Sequence, residues 1–249
     1  MKKLLFLLFV FIILELILCS CDSVNNSISK TNDNTGISIE NTSRNNKPDK
    51  TKSNQTGNDI KYTINKKTKT LIVSGKGPIY QLSWGIISSK KPVFPVRIII
   101  NRGATLIGDY AFDNGSNGLS EEGRNGLDKV QEVKIPNTVT QIGKEAFHHL
   151  ISLNSVTIPN TVTWIGEGAF SECISLKKVE LSSQLEELPK ESFYHCKSLK
   201  EITIPMSVKA IADDAFLFTD KLTIKGYKGT VAEKYAKDNG FKFVALKKK

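Results

Sequence analysis

The sequence predicts a solenoid, α/β in class and leaning to β, in which short parallel strands alternate with helical turns and a cap closes each end. Three observations predict it. Phe147, Phe170, Phe193 and Phe216 follow one another at a step of 23 residues, as do Ile142, Ile165, Leu188 and Ile211, and Leu153, Leu176, Leu199 and Leu222. Each unit then opens on apolar residues one apart, Val133 and Ile135, Val156 and Ile158, Val179 and Leu181, Ile202 and Ile204, which is the alternation of a half-buried strand. The segments flanking this array show strand and helix patterns of their own. A fixed period of this size means that no unit buries its apolar face alone, so stacked copies must share one core.

The elements are justified in chain order. Residues 1–20 read as an export leader: Lys2 and Lys3 precede an apolar run broken only by Glu15. Leu18, Cys19 and Ser20 then lead into Cys21, which resembles the bacterial lipobox, and that resemblance implies lipidation of the Cys21 thiol and cleavage before it. Residues 21–59 are rich in Asn, Ser, Thr, Lys and Asp and nearly free of aromatics. Such a stretch cannot bury enough apolar surface to offset its conformational entropy, and it is expected to be a disordered tether spanning roughly 30–40 Å. Residues 60–95 alternate enough to suggest a strand pair, an N-terminal β cap.

Residues 96–222 carry five repeats. The first ends at Phe112, which precedes Phe147 by 35 residues, one period plus a 12-residue polar, Gly-rich insertion near 113–126. Within a unit, Pro136, Pro159 and Pro205 end the first strand, because proline cannot donate to a ladder; Ser182 stands there in the unit of Phe193. A second extended piece follows, then a turn eased by Gly143 or Gly166, then an Ala-Phe pair on a helical turn that drives the ring inward. Residues 223–249 form the C-terminal cap and basic tail. Thr230 and Glu233 have capping-box spacing, Val231 and Tyr235 share a helix face, Gly240 stops the helix, and "FKFV" makes a last strand.

The L-x-x-V-x-I opening is similar to leucine-rich repeats, and "IPNTVTWIGEGAFSEC" looks like the BspA-type subclass of that family. The resemblance implies a surface lipoprotein that binds proteins, by adhesion to host matrix proteins or to other cells. An envelope scaffold that binds another envelope protein is the alternative. A third reading is polysaccharide or polyanion binding, since the chain carries a formal net charge of +10. The implied partners are a protein ligand and, through the lipid anchor, a membrane; nucleic acid is not expected. The implied location is the outer face of the bacterial envelope.

Candidate binding residues are those that the strand pattern points outward: Lys134, Ser155, Thr157, Lys178, Glu180, Glu201 and Thr203. Trp164 joins them because its slot holds Gln141, Glu187 and Ala210 in sister units, which a core position would not accept. No phosphate loop, zinc-helix or nucleophile-elbow motif occurs, so neither an enzyme nor a cofactor is expected. No metal site is expected either. His149 and His195 share a slot with Glu172 between them, but the next slot, with Leu150, Cys173, Cys196 and Thr219, reads as packing, and His148 has no partner at ligand spacing. Stacking distance and an exported location permit a Cys173–Cys196 disulfide, although parallel neighbours rarely point correctly for one.

Overall fold

The computed structural model describes residues 36–40, 59–80, 93–115, 126–219 and 221–247. Cys21, the leader and most of the insertion lie outside them. After β1 (Gly36–Glu40) and β2 (Lys61–Asn65), the chain winds into a coil whose turns each give one strand to a first side and one, shorter in most turns, to a second. The pairs are β3 (Thr70–Ser74) and β4 (Gly77–Ile79), β5 (Arg97–Ile100) and β6 (Ala104–Ile107), β7 (Glu132–Lys134) and β8 (Gln141–Ile142), then β9 (Ser155–Thr157) and β10 (Trp164–Ile165). They continue with β11 (Lys178–Glu180) and β12 (Glu187–Leu188), β13 (Glu201–Thr203) and β14 (Ala210–Ile211). The chain closes on β15 (Thr223–Gly226), helix α1 (Val231–Asn239) and β16 (Lys242–Ala245).

Because every turn repeats the last, neighbouring strands are parallel and equivalent slots face each other: Val156 lies beside Val179, and Ile202 beside Ile224. The flanks expected to be caps are built the same way. Leu71 pairs in parallel with Ile98, and β15 continues from β13, so the five sequence repeats sit within a coil of about seven turns.

The Ala-Phe pairs form no helix. They sit in turns closed by i to i+3 bonds, as from His148 N–H to the Glu145 carbonyl, and α1 is the only helix among the described residues. The reason is lateral bonding. Phe147 N–H donates to Ala169 O, Phe170 N–H to Ser192 O and Phe193 N–H to Ala215 O, so the next turn of the coil takes the donors that a helix would use internally. Inside, Phe112, Phe147, Phe170, Phe193 and Phe216 form one fully buried column with centroids 5.4, 5.2, 5.6 and 5.5 Å apart and near-parallel planes.

Gly143 and Gly166 have an explanation different from the one expected. Neither has a positive φ. A Cβ on Gly166 would lie 2.3 Å from the Lys144 nitrogen, and one on Gly143 would lie 2.5 Å from the Asp109 nitrogen. Close approach of the preceding turn's backbone, and not a need for conformational freedom, requires glycine there. In the unit of Phe193 the slot holds Pro189, which has no N–H to donate to Ile165 O as Gly166 donates to Ile142 O. The second-side ladder accordingly breaks between β10 and β12.

Cys173 and Cys196 are free thiols. Each is fully buried, and each Sγ–H donates to a phenylalanine carbonyl, Phe147 at 3.3 Å and Phe170 at 3.2 Å; the Thr219 hydroxyl does the same to Phe193 in the next turn. After Leu150, the column is a set of small donors for those carbonyls.

At the N-terminal end, β2 and β3 form the expected antiparallel hairpin. β1, in the stretch read as tether, pairs antiparallel with β2 along its whole length. At the other end, Thr230 is the N-cap of α1, but its hydroxyl donates to Tyr227 O, and the Glu233 carboxylate accepts from Gly229 N–H at 2.7 Å. The expected capping box is therefore realised only in its Glu half, shifted one residue outward. Gly240, at φ 74°, ends the helix as expected.

Candidate functional site

The seven outward residues, Lys134, Ser155, Thr157, Lys178, Glu180, Glu201 and Thr203, are all exposed on the first side. Parallel register sets Ser155 beside Lys178 and Thr157 beside Glu180. The face is knitted by its own charges. Lys178 pairs with Glu180, which also accepts from the Thr157 hydroxyl at 3.0 Å; Lys225 pairs with Glu201 at 2.8 Å, and Lys134 lies 3.6 Å from Glu132. The Lys178 and Thr157 hydrogen bonds hold the Glu180 carboxyl below its ordinary range.

Four of the seven come together where this side opens. β11 pairs with β9 and β13 with β15, but β11 and β13 do not pair with each other. The backbone link that joins other turns, as from Lys177 N–H to Asn154 O and from Thr223 N–H to Lys200 O, is absent between Lys200 and Lys177. A depression of about 850 Å³ lies across this opening, with Lys178, Glu180, Glu201 and Thr203 at its sides and Met206 and Tyr227 further along. Met206 is 57% exposed. Sequence pattern does not single it out, because it stands alone at a position that is Asn in two sister units and Ser in the third.

Trp164 is 40% exposed, as its variable slot suggested. It sits on β10, paired in register with Gln141 on the second side, and so on a different side of the coil from the other seven.

A second constellation lies on the turns after the phenylalanines. His148 Nδ1 is 2.8 Å from Asp113 Oδ1, His148 Nε2 is 3.9 Å from Glu172 Oε1, and His149 Nδ1 is 3.1 Å from Glu172 Oε2. Two columns meet here. Asp113 is the residue one turn before His148, and Glu172 the residue one turn after His149.

The profile of the "BspA type Leucine rich repeat region" matches residues 125–236 in six copies. These residues are BspA-type leucine-rich repeats. No curated protein matches the sequence. Among solved structures, the chain is similar to the pneumococcal vaccine antigen PcpA, at 19% identity over 70% of this chain and 49% of that one, with a TM-score of 0.49. It thus spans about half the length of that relative. It is also similar to a T. pallidum leucine rich repeat protein, at 23% identity over 74% of this chain and 96% of that one, TM-score 0.49. A leucine rich cell surface protein from Faecalibacterium prausnitzii is 17% identical over 82% and 96%, TM-score 0.34.

The BspA-type repeats explain why the histidine cluster escapes a reading by spacing. Asp113 and His148 occupy one column, but the insertion stretches their separation to 35 residues, so His148 looks unpartnered until the turns are stacked. The expectation that it lacks a partner is corrected by its contacts with Asp113 and Glu172. His148, His149 and Glu172 could hold a metal ion, since one donor atom from each lies within 4.8 Å of the others. Cys173 could not join them: it is buried against a carbonyl, and burial pushes its thiol up to about 12. Among the described residues no helix is long and apolar enough to cross a membrane.

Burial pulls the His148 imidazole down, but hydrogen bonds and charge from Asp113 and Glu172 outweigh it and raise the group from 6.5 to about 9. The same imidazoles hold Glu172 well below the usual carboxylate range. A group raised on folding contributes its full stability below its unfolded value and loses it as pH climbs through the folded one. Stability in the presence of chelator is therefore expected to fall by roughly 2 kcal/mol between pH 6.5 and 9. Urea midpoints across that range check it, and His148→Gln should flatten the slope.

Proposed function

We propose that the protein is a surface-displayed binding module, held to the envelope through a lipidated Cys21, whose BspA-type coil engages a protein ligand across the opening between β11 and β13. The ligand class is a host matrix protein or a protein on another cell. The observation that carries this reading is the depression itself. It is concave, combines paired charges with the exposed thioether of Met206, and gathers Lys178, Glu180, Glu201 and Thr203 at one place. Polar groups already ordered by neighbours lose little freedom when a ligand arrives, and an exposed Met adapts to an apolar contact. Lys134, Lys178 and Lys225 on this side are paired with carboxylates, which favours a protein surface over a polyanion.

One observation favours a polyanion elsewhere. Lys66, Lys69 and Lys129 surround a depression of about 430 Å³ beside Phe94, at the N-terminal end of the coil. The two readings separate in one experiment, binding of the full chain to immobilised matrix proteins and to sulfated polysaccharide at low and high salt. Protein binding that survives salt and weakens tenfold or more in Met206→Glu, with Trp164→Ala unchanged, is the expected result. Binding to polysaccharide alone, abolished by salt, would overturn it, and binding lost in Trp164→Ala would move the contact to the second side.

A further inference from the structure

We propose that His148, His149 and Glu172 form a binding site for one zinc ion, a site independent of the ligand surface on the first side. The donor set comes first. Two imidazole nitrogens and a carboxylate oxygen suit zinc, whereas calcium and magnesium call for oxygen ligands throughout. The spacing comes next. A tetrahedral zinc with ligands at about 2.0–2.1 Å holds its donors roughly 3.3 Å apart. His149 Nδ1 and Glu172 Oε2 stand 3.1 Å apart, and His148 Nε2 is 3.9 Å from the other oxygen of the same carboxylate. All three donor atoms lie within 4.8 Å of one another, so a common centre requires that they close toward that spacing.

The surroundings orient the donors. Asp113, only 2% exposed, lies 2.8 Å from His148 Nδ1, so the carboxylate accepts that N–H and leaves Nε2, on the Glu172 side, as the nitrogen whose proton the ion displaces. A carboxylate behind a ligating histidine fixes tautomer and ring orientation in this way and raises the basicity of the nitrogen that binds. Gly115 backs the second ring: a Cβ there would lie 2.8 Å from His149 Cγ, so only glycine leaves the imidazole its place. Asp113 and Gly115 take the repeat slots that hold Ser171 and Cys173 two turns later, so this pairing of residue types occurs only beside His148 and His149 among the described turns. The two histidines and Glu172 are half-buried, so an ion can enter and water can complete its coordination. In the other turns the slots do not assemble such a set; His195 aligns with Glu172 but has Tyr194 and Phe218 around it.

The test uses the full chain without an affinity tag, stripped with chelator and titrated with zinc by calorimetry and with cobalt(II) by visible absorption. One zinc per chain is expected, with cobalt bands of a four-coordinate site. His148→Gln and Glu172→Gln should each weaken zinc by at least about tenfold, and Asp113→Asn by about 10–100-fold, while His195→Gln leaves it unchanged. Circular dichroism identifies any variant that fails to fold, and the remaining substitutions then decide. Absence of saturable binding in the unsubstituted chain would overturn the site. So would equal losses in His195→Gln and His148→Gln, which would mean scattered surface histidines, or full affinity in Glu172→Gln, which would leave the cluster a proton-shared ion pair.

Discussion

Phe170→Ala is expected to lower the free energy of unfolding by about 3–5 kcal/mol, the cost of removing a fully buried aromatic ring from a packed core. Phe170 stands at the middle of the column, 5.2 Å from Phe147 on one side and 5.6 Å from Phe193 on the other. Phe112 stacks on Phe147 alone among the described residues. Each stacked pair adds about 0.5–1.5 kcal/mol beyond area burial, so Phe112→Ala should cost less than Phe170→Ala by about that amount. A solenoid is held together by contacts between adjacent turns, and the central ring belongs to two such interfaces. Urea unfolding of the two variants measures the difference. Equal losses would mean that the column acts through burial only and not through ring-on-ring contact.

Gly166→Ala is expected to cost about 2–3 kcal/mol, because the added methyl meets backbone atoms that no side-chain rotation can move. The comparison that isolates the cause is Ala212→Gly. It occupies the same slot two turns later, where a methyl is already accommodated, and the substitution should cost less than about 1 kcal/mol. If the two variants lose the same stability, close approach of the turns is not what requires glycine at Gly166. The result also bears on the opening in the second-side ladder, since Pro189 fills this slot in the intervening turn and removes the donor there.

Within the repeats, position in the period told which residues are buried. Phe147, Ile142, Leu153 and Val133 and their equivalents line the interior almost without exception, with Ile211 only partly covered. The seven outward residues are exposed for the same reason. Local patterns were less dependable where a donor had a better partner elsewhere. The Ala-Phe segment is a turn because the adjacent turn accepts its N–H groups, and Thr230 misses its capping-box role because its hydroxyl donates to Tyr227 instead.

Periodicity and polarity along the chain therefore settled the coil, its core columns and its outward face, because those depend only on which residues share a slot. Contacts between unlike slots, or across an interruption of the period, had to wait for the folded coil. The depression lies where β11 and β13 do not pair, although the same two turns pair through β12 and β14, and no residue type announces that in advance. Asp113 approaches His148 although 12 residues are added to the period between them, so residues 35 apart in sequence stack as if they were 23 apart. Both features belong to three-dimensional registration, which sequence spacing reports only while the spacing is uniform.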